Sequence, residues 1–295
     1  GVYEMGSTLK TFTLAMALEE GGLDITDGFD ASEPIRISRF TINDDHPQAR
    51  WLSLPEIYMY SSNIGSAKMA RFMGSDRQQA FLTRLGMMER PSLELPEISD
   101  PIVPRRWREI STMTVGFGHG IAVSALQVAS GIAALTNGGI YHQPTLIKQR
   151  PGLMAPGERV VSEETSRTMQ AMMRLVVEKG TGKKAEAKGY LVGGKTGTAE
   201  KAGPGGYREN ALMTSFVGSF PIDDPRFVVF VMLDEPKGRK ETFGFRGAGW
   251  NAAPLTSHII ERVAPMLGVA PRRATSHPGV EKLLETVRSE REVQS

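Results

Sequence analysis

Apolar residues recur at helical spacing in several stretches of this chain, each framed by start and stop residues. Leu9, Phe12, Leu14, Ala15 and Leu18 follow Gly6 and Ser7 and end at Gly21-Gly22, which predicts an opening helix with Ser7 at or near its N-terminus. Ser53-Leu54-Pro55-Glu56 reads as a capping box with proline in the first turn, leading into Ile57, Met59 and Tyr60. The cap and turn formers Ser61-Ser62-Asn63 interrupt that run and form the joint to a next helix, Ile64 to Phe72, which stops at Gly74. A third helix is expected from Ser75, with Gln78 at capping-box distance, to Gly86. Residues 87–110 lose periodicity and carry Pro91, Pro96, Pro101 and Pro104, so they read as an irregular excursion. Ser124 and Gln127 open a further helix, closed by Asn137-Gly138-Gly139. The clearest period follows, with Met169, Met172, Met173, Val176 and Val177 on one helical face between a Ser162 cap and a Gly180 stop; a methionine stripe of this kind is core packing.

From Tyr190 the texture changes to three strand-like runs, 190–199, 211–221 and 227–234, separated by Lys201-to-Asn210 and by Asp223-Asp224-Pro225. They predict an antiparallel meander. After the glycine-rich residues 236–251, an amphipathic helix through Pro254, Ile259, Ile260, Val263, Met266 and Leu267 is expected to pack back on it. No internal repeat is visible. Helices preceding three sequential strands and one terminal helix point to an α+β fold, with helices on both faces of a mostly antiparallel sheet. Residues 1–270 read as one domain and 271–295 as a polar tail.

Composition narrows the chemistry. The 35 Lys+Arg against 33 Asp+Glu leave +2, which suggests no nucleic-acid surface, and 40% hydrophobic residues suffice for a full core. No cysteine is present, which excludes disulfides, zinc–thiolate sites, iron–sulfur clusters and thiol nucleophiles. Residues 111–147 carry no charge, yet Gly, Ser, Thr, Gln and Asn interrupt them too often for a bilayer span, so a buried segment is expected. The opening Gly1-Val2-Tyr3 is not a secretory leader and suggests a piece of a longer protein.

Three short words stand out, Ser7-Thr8-Leu9-Lys10, Ser61-Ser62-Asn63 and Lys195-Thr196-Gly197-Thr198, at a helix start, an inter-helix joint and a strand. Positions i and i+3 share a helix face, so the Lys10 amine can lie beside the Ser7 hydroxyl. Lysine can take the proton of serine only when neutral, which calls for burial and a neighbouring cation, and Lys195 is the expected cation. Free N–H groups at the first helix's start suit the negative oxygen of an acyl-transfer intermediate. Gly197 would let a substrate backbone lie beside its strand, while Lys195, Thr196 and Thr198 hold an anionic terminus. The constellation describes a site for a peptide carboxylate.

Tyr3-Glu4-Met5-Gly6-Ser7-Thr8-Leu9-Lys10 resembles the Tyr-Glu-Pro-Gly-Ser-x-x-Lys signature of class B penicillin-binding proteins, and Gly194 to Glu200 resembles their third motif; the trio of words is that associated with penicillin-binding proteins and class A β-lactamases. Met59 to Gly65, Gly116 to Gly120, Ala134 to Gly139, Asp234 to Lys237 and Ala248 to Pro254 add to the likeness, which extends over about residues 1–268 and is strongest to the division-septum transpeptidases. The resemblance implies a penicillin-binding/β-lactamase-like fold and a D,D-transpeptidase of cell-wall synthesis at the periplasmic face of the bacterial inner membrane. Ser7 would form an acyl-enzyme with the penultimate D-alanine of a stem peptide, and β-lactams would acylate it as mimics. Lys10 would be the base, Ser61 the proton relay, Asn63 the residue positioning Lys10 and the substrate amide, and Lys195, Thr196, Gly197 and Thr198 the substrate-binding strand. Backbone N–H groups of Ser7 and Thr198 would form the oxyanion hole. Division-machinery proteins are the implied partners, and no metal or organic cofactor is implied. Met5 departs from the family's proline. The family's domain also begins upstream, so its N-terminal strands and membrane anchor are expected in an upstream part outside this chain, and whether the piece is active without them stays open.

Ser7, Ser61 and Asn63 could be caps only, and Lys195 a solubilising edge charge. His119 among glycines reads as structural, and His46, His142, His258 and His277 show no metal-ligand spacing. Gly180-Thr181-Gly182-Lys183-Lys184 fails as a phosphate loop because Val177 and Lys184 stand where Gly and Ser/Thr are needed. Gly116, Gly118 and Gly120 lack the setting of a dinucleotide site. Arg105-Arg106-Trp107-Arg108 reads as a solvated cluster, with anionic glycan or a partner as the alternative. A D,D-carboxypeptidase and an inactive scaffold or β-lactam-sensing module are the competing functions; a β-lactamase is disfavoured because no Glu-x-x-Leu-Asn word occurs.

Overall fold

The computed structural model describes residues 1–37, 40–150, 156–203, 206–272 and 276–293. A 3₁₀ turn, Gly6–Leu9, leads directly into helix α1, Lys10–Glu20. Four three-residue strands follow, β1 (Gly28–Asp30), β2 (Ile35–Ile37), β3 (Phe40–Ile42) and β4 (Trp51–Ser53), pairing as β1 with β4 and β2 with β3. Helices α2 (Leu54–Tyr60), α3 (Asn63–Met73) and α4 (Ser75–Arg84) come next, then the irregular excursion, α5 (Glu109–Val115) and α6 (Ala125–Thr136). Short strands β5 (Ile140–Tyr141) and β6 (Glu158–Arg159) precede the long α7 (Glu163–Glu178). The main sheet is antiparallel in the order β7 (Gly193–Gly203), β8 (Gly206–Phe220), β9 (Phe227–Asp234). Helix α8 (Ala252–Val263) and a last helix, α9 (Pro278–Val293), complete the chain.

Local signals explain most boundaries. Ser53 and Glu56 make the reciprocal capping box of α2, and Ser124 and Gln127 make that of α6. The Ser162 hydroxyl caps α7 at the Thr165 amide. Ser61 joins α2 to α3 in the left-handed region at φ 63°, a conformation a non-glycine residue holds only where its surroundings impose it. The capping box expected at Ser75 and Gln78 does not form. Gln78 is buried instead, donating to the Thr112 carbonyl and accepting from Trp107 Nε1, so tertiary bonds outcompete the local cap.

The methionine stripe of α7 is fully buried and, with Phe12, Met16, Ile57 and Val128, forms the core between the helices and one sheet face, where α6 and α7 pack. Phe216, Val231, Ala252 and Ile260 form a second core where α8 covers the other face. Helices thus lie on both faces of an antiparallel sheet, as expected. Two expectations change in detail. Lys201-to-Asn210, read as a connection, largely continues β7 and β8 into a long hairpin. Residues 271–295, read as a polar tail, carry α9, whose Val280, Leu283 and Val287 are buried and which packs against α7.

Candidate active site

Glycine packing brings the opening turn against the sheet. Gly6 has φ +53° and a Cβ there would lie 2.6 Å from the Thr198 carbonyl oxygen, so only glycine lets this turn touch β7. On its other side, Gly118 at φ +93° comes so close that a Cβ would meet the Gly6 oxygen at 1.9 Å. Gly116 to Gly120 is therefore a brace for the turn that carries Ser7, with Gly6 N–H donating to the Gly118 carbonyl at 3.2 Å. Gly118→Ala is expected to destabilise the fold by roughly 2–4 kcal/mol, measured by thermal melting.

The structure brings the three words together. Lys10 Nζ lies 2.9 Å from Ser7 Oγ, 2.7 Å from Asn63 Oδ1 and 3.1 Å from Ser61 Oγ, and donates to the Ser61 carbonyl. Ser7 lies inside the opening turn and is not its cap, a position held by Met5. Lys195 Nζ reaches Ser61 Oγ at 2.9 Å from the opposite side, so that hydroxyl bridges two amines. Both lysines are buried, at 2% and 0% exposure, with no salt-bridge partner among the described residues.

Burial sets their charge. It lowers Lys10 to about 7, against an upward pull from Asp44 and Asp45. It also lowers Lys195 well below its ordinary value, and the Lys10 charge adds to that. Burial is thus the leading cause for both amines, and Asp44 and Asp45, not Lys195, are the charges that act on Lys10.

Thr196 and Thr198 face a cleft of about 260 Å³ that also includes Ser7, Ser61, Thr181, Asp44, Asp45 and Trp250. Thr198 Oγ1 accepts from the Ala248 amide at 3.2 Å, which leaves its own proton for a ligand. Thr196 and Thr181 share a 2.6 Å hydroxyl contact. The missing side chain of Gly197 makes room for the Ser7 turn, since a Cβ there would lie 2.6 Å from the Met5 carbonyl and 2.8 Å from Thr8 Cγ2. A larger groove, about 1010 Å³, opens between α1, α7 and α9 and contains none of these residues.

His119 stands outside the cleft lining, in a cluster with Glu4 and Tyr207. Glu4 accepts from the Gly120 amide at 2.9 Å and from Tyr207 Oη at 2.8 Å, and His119 Nδ1 lies 3.2 Å from that phenol. Burial would raise the Glu4 carboxyl, but bonds from His119, Gly120 and Tyr207 together hold it below the usual range. The cluster ties the β7–β8 hairpin to the segments flanking Ser7. Cleft residues to which the motif reading gave no role are Asp44, Thr181 and Trp250, the last within the Ala248-to-Pro254 stretch. Thr181 lay within the Gly180-to-Lys184 run that failed as a phosphate loop.

Residues 1–260 match the family described as the penicillin binding protein transpeptidase domain. The chain belongs to this family. Its branch is that of the class B penicillin-binding proteins. It is 43% identical to the probable peptidoglycan D,D-transpeptidase FtsI of Caulobacter vibrioides, over 91% of this chain and 47% of that protein. It is 33% identical to the peptidoglycan D,D-transpeptidase FtsI of Escherichia coli, over 93% of this chain and 46% of that protein. The chain therefore spans about half the length of these curated relatives. Among solved structures, the transpeptidase domain of Burkholderia pseudomallei penicillin-binding protein 3 superimposes with a TM-score of 0.84 at 31% identity, covering 92% of this chain and 82% of that one. Penicillin-binding protein 3 of Mycobacterium tuberculosis, complexed with ampicillin, gives 0.83 at 25% identity, covering 95% and 65%.

Proposed function

We propose that this chain is the catalytic part of a septal peptidoglycan D,D-transpeptidase, taking stem peptides that end in D-Ala-D-Ala as donors and acylated at Ser7 by β-lactams. The observation that carries the reading is the contact of a buried, readily neutral Lys10 with Ser7 at 2.9 Å, beside a second buried lysine and two strand threonines. Neutral Lys10 accepts the Ser7 proton as Ser7 Oγ attacks the penultimate D-alanine carbonyl. N–H groups of Ser7 and Thr198 receive the negative oxygen. As the C–N bond breaks, the departing D-alanine amine takes a proton through Ser61, which touches both amines. The amine of a neighbouring stem then attacks the ester, forms the cross-link and returns the proton to Ser7. Asn63 holds Lys10 in place, and Lys195, Thr196 and Thr198 take the terminal carboxylate. Residues 1–270 carry this chemistry, with 271–295 as an appended segment.

The work is placed at the periplasmic face of the inner membrane, beside division proteins; among the described residues no helix is long and apolar enough to cross a membrane. The test is incubation of the folded chain with labelled penicillin, proteolysis and mass mapping. One adduct on Ser7 is expected. An adduct elsewhere, or none on protein with native circular dichroism, removes the proposal.

A further inference from the structure

Asn63 contacts Lys10 through its side-chain oxygen, and that orientation is imposed from outside the three words. Asn63 Nδ2 donates to the Asn43 carbonyl at 2.8 Å, which turns the amide oxygen toward Lys10, 2.7 Å away. The neighbouring Asp44 grips the start of α3. Its Oδ1 accepts from the Asn63 amide at 2.5 Å and from the Ile64 amide at 2.9 Å, and its Oδ2 accepts from Ser62 Oγ at 2.8 Å. Ser62 Oγ in turn accepts from the Gly65 amide at 2.9 Å. A carboxylate on the free N–H groups of a helix start is a charge-assisted cap, favoured further by the helix dipole. Asp44 is buried, and it lines the cleft together with Ser7 and Ser61.

We propose that Asp44 is a positioning residue for the nucleophile: it fixes the start of α3 so that Asn63 holds Lys10, and its charge, facing the same cleft, sets how readily Lys10 releases its proton. The proposal rests on the reading of Ser7 and Lys10 given above. Charged and titratable groups around Lys10 are Asp44 and Asp45 from the loop after β3, with His46 on the same cleft wall, and Lys195 from β7; Tyr58 of α2 lies under Lys195, 5.9 Å from its amine. The two aspartates are the groups that favour the charged amine, opposing burial. Asp44 thereby links two demands that pull apart. The cap needs a full negative charge at the helix start, and that same charge keeps Lys10 from losing its proton too easily. Asp45 has the second effect without the helix contacts.

The experiment is the pH dependence of Ser7 acylation by labelled penicillin, followed in the wild-type chain, Asp44→Asn and Asp44→Ala, with thermal melting of each. Asn keeps the shape and an acceptor oxygen but removes the charge. Its acylation limb is expected to shift to lower pH by about one unit. Ala also loses the cap, and is expected to show the same shift with a plateau at least tenfold lower. An Asn variant whose midpoint coincides with wild type overturns the electrostatic half of the proposal, whatever its plateau. A folded Ala variant with a wild-type plateau overturns the positioning half. If Ala does not fold, Asn still decides, since a purely structural cap would lower the melting temperature without moving the midpoint. Absence of a Ser7 adduct in the wild type is a separate result and strikes the proposed function itself.

Discussion

Lys10→Met is expected to lower the second-order rate of Ser7 acylation by ~10³-fold or more while leaving the melting temperature undiminished at pH 7. Ser7 Oγ has no other amine within hydrogen-bond reach among the described residues, so its proton has nowhere to go. Stability does not follow activity, because the amine is 2% exposed and burial disfavours its charged form. The sign follows from proton counting. Lys10 in the fold is depressed to about 7 from an ordinary 10.5, so between these values the unfolded chain holds the extra proton and stability rises with pH. Methionine removes that dependence. The same depression gives the wild-type rate its shape: acylation rises with pH through about 7 and levels off above it, as the neutral amine becomes the major form. A Lys10→Met protein that acylates at more than a tenth of the wild-type rate, or a wild-type limb centred near 10, would sink the assignment of Lys10 as base.

The parts of the molecule legible in the sequence are those whose causes are local. Capping boxes at Ser53 and Ser124 and the Ser7–Lys10 spacing each lie within one turn, and the structure shows those contacts at those positions. The 3₁₀ geometry of Gly6–Leu9 tightens the last of these, since residues three apart eclipse in such a turn. Where the cause is distant, the sequence was silent. Strands β1 to β4 are three residues each, too short to show a period of two, and β1 finds its partner only at Trp51–Ser53. The far half of the β7–β8 hairpin reads as a loop because Lys201, Gly203, Gly206, Arg208 and Glu209 dominate it, yet Tyr207 anchors it through Glu4, which lies 203 residues away. Helix α9 was hidden by its charge, although Val280, Leu283 and Val287 keep helical spacing. At the site, residue types announced which groups meet but not that burial pushes both amines down, because that depends on packing. Asp44 carries no motif at all; it matters because α3 happens to start on it.

Lys195→Met tests what the buried second amine does, and its expected effect is a fall of ~10²-fold or more in acylation efficiency, mostly through weaker binding rather than a slower acylation step. In the free enzyme Lys195 faces Ser61 Oγ at 2.9 Å and the Thr196 carbonyl at 3.2 Å, with no carboxylate among its described partners. Burial first, and the nearby Lys10 second, push it well below its ordinary value. A ligand carboxylate placed beside Thr196 and Thr198 changes the balance, since opposite charge at close range favours the protonated amine. Binding should therefore draw a proton from solution at pH 8. Calorimetry of penicillin binding to a Ser7→Ala protein, in buffers of different ionisation enthalpy, measures that uptake without a covalent step. Proton uptake is expected with Lys195 present, and markedly less in the Ser7→Ala, Lys195→Met double variant. Equal uptake in both proteins would show that the proton goes elsewhere, with Lys10 the remaining candidate, and Lys195 would then lose its role as the carboxylate's counter-ion.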